Sequence, residues 1–214
     1  MMNKYPLLIY VALFSSIIPI GVGFSRIKTL HSGMKILLLY LISAFATDNY
    51  LIWFARGYQF ILGLHHIYYL VEFIFIISIV TVWQESYRMK WIFRVLSLFF
   101  IIFWIIAKVS FEPLSGLYTV IASVSQIILA LSAGYTLFVV IGNKTQSLIN
   151  QYRFWVLLSF VVYYFGTLLV IGLRGILLHY SLDTIFLVVS IDWSLKIIFN
   201  MLIAKGFLCR QTQT

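Results

Sequence analysis

Long apolar runs separated by short polar segments dominate the chain, and seven of them reach the about 20 residues that a helix needs to cross a bilayer. They fall at about Tyr5 to Phe24, Lys35 to Phe54, Gln59 to Trp83, Trp91 to Lys108, Gly116 to Ile141, Tyr152 to Leu173 and Thr184 to Lys205. Pro6 stands in the first turn of the first run, and Pro19 is placed to kink its far end. Lys4 before an apolar run also has the look of a signal-peptide start. No small-x-small cleavage site follows, however, and Arg26 and Lys28 read as a stop.

Composition agrees with the pattern. Of 214 residues, 63% are hydrophobic, 18% aromatic and 10% charged, with a mean hydropathy of +1.03. A soluble domain carries about 25% charged residues, so that class is excluded, and disorder with it. Seven spans consume roughly 150 residues. The expectation is therefore a single domain over 1–214, an all-α bundle of seven transmembrane helices, with two short tails, six connections and no extramembrane catalytic or ligand-binding domain.

The formal charge of +9 reads as topology rather than nucleic-acid binding, because the basic residues are spread over the loops. Arg26, Lys28, Lys35, Arg88, Lys90 and Arg94 flank alternate connections, with Lys144, Arg153, Lys205 and Arg210 following on the same side. The other side has Lys4, Arg56, Lys108 and Arg174. Ten against four puts the N-terminus outside and the C-terminus in the cytoplasm, in a cell membrane of bacterial inner-membrane type. Cys209, the only cysteine, allows no intrachain disulfide and no cysteine-based metal site.

Candidate chemistry lies inside the spans. A charge at a helix centre costs about 2.5–3.5 kcal/mol on insertion scales, so Asp192 and Lys196 in the last span stand out. Four residues apart, they share a face and can pair. In the third span His65, Tyr68 or Tyr69, and Glu72 form one stripe at i, i+3 or i+4, and i+7. Asp48 and Asn49 reach the outer half from the second span, and Tyr163 and Tyr164 the middle from the sixth. If these faces meet, they form a polar core able to bind a polar ligand, an ion or protons, with Asp48, His65, Tyr69, Glu72, Asp192 and Lys196 as its members. The adjacent histidines His65 and His66 point about 100° apart and do not chelate one metal together. Ser123, Ser125, Ser132 and Gly134 in the fifth span suit close helix packing, within the chain or in a homo-oligomer.

Three resemblances follow from these residues. Asp192-Trp-Ser194-Leu-Lys196-Ile-Ile-Phe199 resembles the seventh helix of microbial rhodopsins. That resemblance implies a retinal Schiff base on Lys196, with Asp192 and Glu72 as counterions. Tyr69 stands where that family usually has arginine, and Phe160-Val-Val-Tyr163-Tyr164 lacks the tryptophan and proline of its sixth helix. His66-Ile-Tyr68-Tyr69-Leu-Val-Glu72-Phe73 with Lys196-Ile-Ile-Phe199-Asn200 is similar to a group of short bacterial seven-helix membrane proteins, a likeness that implies fold but no chemistry. Asp48, His65-x-x-Tyr68 and Asp192 are similar to the sparse acidic and histidine pattern of lysoplasmalogenase-type proteins, which implies a membrane-embedded lipid hydrolase.

No Ser-x-x-Lys, His-Glu-x-x-His, Gly-x-Ser-x-Gly or phosphate-binding glycine loop occurs. The reading this favours is a small, non-enzymatic membrane protein of sensor, accessory or binding type. Its partners would be the lipid bilayer and a second copy or another membrane protein, and not nucleic acid. No metal or cofactor is expected unless the rhodopsin reading holds, in which case retinal is.

Overall fold

A computed structural model of the chain describes residues 7–54, 58–115, 119–142, 148–177 and 182–209. Among them are eight α-helices, α1 (Leu7–Ser15), α2 (Ile17–Ser25), α3 (Ser32–Trp53), α4 (Tyr58–Trp83), α5 (Tyr87–Ser110), α6 (Thr119–Gly142), α7 (Tyr152–Leu177) and α8 (Leu182–Leu208). No strand occurs among the described residues. With α1 and α2 taken together as Leu7–Ser25, seven helical segments are long and apolar enough to cross a membrane. The chain is thus an all-α, multi-pass membrane protein in its make-up, as a bilayer core that satisfies no backbone group requires.

The first span breaks in its middle at Ser16, not at its far end as the position of Pro19 suggests. Proline lacks the N–H that would bond to the carbonyl four residues back, and its ring crowds that carbonyl, so the turn before it opens. Ser15 Oγ donates to Ala12 O at 2.6 Å, satisfying one backbone acceptor next to the break. From α8, Asn200 Nδ2 then donates to Ser15 Oγ at 2.7 Å and Ser16 Oγ at 3.1 Å.

Other ends have local causes. Pro113 cannot continue α5, and the N–H groups of Phe111 and Glu112 both close onto Ala107 O. The Glu112 carboxylate accepts the N–H of Val120 at 2.8 Å and of Ile121 at 3.2 Å, capping α6 from outside the helix. Arg26 Nη1 donates to the carbonyls of Phe207 at 3.2 Å and Leu208 at 2.8 Å, closing the end of α8.

Between lipid-facing helices no hydrophobic force operates, so close packing and polar contacts hold the bundle. α7 packs between α6 and α8, α8 also covers α1 and α2, and α4 joins α3, α5 and α6. The approach of α7 and α8 is set by missing side chains. A Cβ on Gly206 would meet Val156 Cγ2 at 2.8 Å, and one on Gly166 would run into Leu195. Ser125 and Ser132 face inward on α6, whereas a Cβ at Gly134 would meet nothing within 4 Å, so close packing does not use that position. α5 turns Trp91, Leu98, Phe99 and Ile105 outward, an apolar face suited to lipid.

Candidate functional site

The stripe read from α4 exists, and its buried end is Glu72. The carboxylate is 4% exposed and is held from two other helices. Tyr40 of α3 donates to its Oε1 at 2.7 Å and Tyr164 of α7 at 3.1 Å. Both phenols fall on one oxygen, and Glu72 also lines the cavity described below. Hydrogen bonds to a carboxylate are among the stronger kind, which fixes both the position of Glu72 and the rotation of α4.

Lys196 has a partner that sequence spacing did not offer. Its ammonium forms an ion pair with Asp48 of α3, whereas i, i+4 spacing suggests Asp192 of its own helix. Each side chain is 17% exposed, so the pair is partly buried. The ammonium also lies 5.4 Å from the ring centre of Trp193. Asn49 Nδ2 donates to Phe45 O of its own helix at 2.8 Å.

These elements enclose a cavity of about 250 Å³ at the end of the bundle where α3 and α7 finish and α4, α6 and α8 begin. Asp48, His65, Tyr69, Glu72, Asp192 and Lys196 all line it. So do Gln126 of α6 and Tyr163 and Thr167 of α7, while Val170, Ile171 and Val189 give it an apolar wall. Gln126 is 4% exposed and its Oε1 accepts no hydrogen bond. A second pocket of about 20 Å³ shares Tyr68, Tyr163 and Lys196 with the cavity and extends to Ser16 and Asn200 at the break in the first span. It has room for about one water.

His65 and His66 part company, as their angular separation requires. His66 is fully buried and its Nδ1 meets Lys108 Nζ of α5, while Trp104 Nε1 donates to its backbone oxygen at 3.2 Å. Lys108 also donates to Glu112 O at 3.0 Å, so this cluster ties α4 and α5 to the segment that caps α6. Among the described residues no group of His, Cys, Asp and Glu could hold a metal ion.

Three members of the site escaped sequence reasoning. Tyr40 and Thr167 are single polar residues in apolar runs, and Gln126 stands beside serines read as packing positions, so only the rule that polar groups inside a bilayer find partners would have marked them. No protein-family model, curated protein or solved structure matches the chain.

Proposed function

We propose that the chain is a non-enzymatic membrane protein of sensor or accessory type that takes up a small polar ligand in the cavity between α3, α4, α6, α7 and α8. One observation carries this reading: side chains from five helices, each costly to keep in a bilayer, converge on one cavity. Structural polar residues need only one partner each and would not have to share a cavity. Its volume of about 250 Å³ lies just below the about 300–1,000 Å³ of pockets for drug-sized molecules, which suits a small ligand. The distribution of Lys and Arg supports an orientation with the N-terminus outside, so the cavity opens toward the outer face of a cell membrane.

The test is thermal unfolding of the purified chain in lipid nanodiscs against a panel of small polar solutes, anionic, cationic and neutral. Binding raises Tm in a concentration-dependent way, and Glu72→Gln weakens it. A panel that leaves Tm unchanged at every concentration refutes the proposal.

A second reading, retinal bound to Lys196, is supported by the carboxylate of Asp48 beside an amine that lines the cavity. It requires a visible absorption band after expression with all-trans retinal, lost in Lys196→Ala.

A further inference from the structure

α5 runs at the edge of the bundle, packed chiefly on α4, and its first turns carry a pattern that no contact within the chain uses. Tyr87, Lys90, Trp91, Arg94 and Leu98 stand at i, i+3, i+4, i+7 and i+11, on one flank of the helix. Of these, Tyr87, Trp91, Arg94 and Leu98 are exposed and Lys90 is half-buried. Among the described residues, no hydrogen bond or ion pair engages the side chain of Lys90 or Arg94. The nearest carboxylate in the sequence, Glu85 just before the helix, is exposed and pairs with neither.

Depth gives the pattern its meaning. From Arg94 to Ser110, the end of α5, the helix covers about 24 Å at about 1.5 Å per residue, less than the about 30 Å of hydrocarbon that a span must cross. Arg94 therefore lies inside the apolar slab, about one turn beyond Lys90 and Trp91. Charges at such depth ordinarily face the bundle interior or a paired group, and Arg94 does neither. A basic residue that only sets topology sits outside the spans, as Lys28 does, exposed between α2 and α3. An exposed guanidinium one turn inside the slab bends along its own methylenes toward the headgroups, where the anion it meets is a phosphodiester. Lys90, four residues earlier, stands about 6 Å nearer the helix start on the same flank.

We infer that Lys90 and Arg94 hold the phosphate of an anionic phospholipid. Tyr87 and Trp91 flank its glycerol at the interface, and its acyl chains lie along Leu98, Ile102 and Ile105, which are exposed as well. Arginine grips a phosphate through two parallel N–H donors, and lysine adds a second charge. A zwitterionic lipid brings its own ammonium next to Lys90 and loses that gain. Inorganic phosphate has the charge but no part to lie against Leu98 and Ile102, and it gives up its hydration on entering the slab. This surface is separate from the cavity, so its fate is independent of the binding role proposed above.

The experiment is native mass spectrometry of the full chain released from detergent micelles after titration with palmitoyl-oleoyl phosphatidylglycerol, the phosphatidylcholine with the same chains, or inorganic phosphate. Basic residues near an anionic lipid surface each strengthen binding about fivefold. The first phosphatidylglycerol is thus expected to bind at least about fivefold more tightly than phosphatidylcholine. Arg94→Gln should weaken it about fivefold, while Lys28→Gln, the same charge loss at the same end of the bundle, leaves it unchanged. Equal affinities for the two lipids overturn the inference. An effect of Lys28→Gln as large as that of Arg94→Gln overturns it in favour of a diffuse field. Inorganic phosphate binding as tightly as phosphatidylglycerol overturns the assignment to lipid, and a dimer that Arg94→Gln dissolves assigns the flank to a second copy instead. The comparison between lipids uses the unmodified chain, so it decides even if a variant does not fold.

Discussion

Replacing Lys196 by Met strips the ammonium from an ion pair that joins α8 to α3. At an effective dielectric of about 20, two unit charges about 4 Å apart attract by about 4 kcal/mol. Desolvation of both groups opposes this, and each side chain keeps 17% of its surface exposed, so roughly half survives. Lys196→Met leaves the Asp48 carboxylate without its cation and is expected to cost about 2–3 kcal/mol, and Asp48→Asn about 2 kcal/mol. The double variant removes both charges and is expected to cost only about 2 kcal/mol. The coupling energy is then about 2 kcal/mol. The same cycle between Asp192 and Lys196 should give about 0.5 kcal/mol, the level of an i, i+4 pair along one helix. Unfolding in mixed micelles with increasing SDS, followed by tryptophan fluorescence, supplies all of the free energies. A coupling below about 0.5 kcal/mol for Asp48 and Lys196, or a larger one for Asp192 and Lys196, would refute the pairing across helices.

Other consequences are as direct. Tyr40→Phe removes the 2.7 Å donor from Glu72 and should cost about 1–2 kcal/mol in the same SDS assay; a cost near zero would mean that the bond holds nothing. Gly206→Ala drives a Cβ to 2.8 Å from Val156 Cγ2 and should destabilise by about 1–3 kcal/mol, whereas Gly134→Ala, with nothing within 4 Å, should be neutral or stabilising. Arg26→Met uncaps the end of α8 at Phe207 and Leu208 and should cost about 1 kcal/mol, seen as faster hydrogen exchange in the last turn. His31, just before α3, is held below its ordinary value of 6.5 by burial and by Arg153. The neutral imidazole is thus favoured in the folded chain, the unfolded chain binds more protons below pH 6.5, and stability falls as the pH drops through that value. Tm measured from pH 8 to 5.5 should show a shallower fall in His31→Gln, and an unchanged slope would remove His31 as the cause.

Much of this protein is written in one dimension. Apolar runs of spanning length locate helices because lipid offers the backbone no partners, so a segment that enters must bond to itself. The stripe of His65, Tyr69 and Glu72 was legible for the same reason, since residues at helical spacing share a face in any helix. Pro19 marked a disruption in the first span, but its location followed from how the preceding turn opens at Ser16 and how Asn200 meets the opened turn.

Tertiary structure decided the partners. Sequence spacing offered Asp192 to Lys196, and helix rotation gave it Asp48, 148 residues away. Tyr40 and Tyr164 meet at Glu72 from two other helices, and Gln126 of α6 lines the cavity that Glu72 lines. None of this has a local signature. In a bilayer every helix is apolar around most of its surface, so hydropathy says which residues enter the membrane but not which way each helix turns. Rotation is fixed by close approaches such as Gly206 to Val156 and by the few polar bonds between helices. Those depend on shape in three dimensions, and so the composition of the cavity does too.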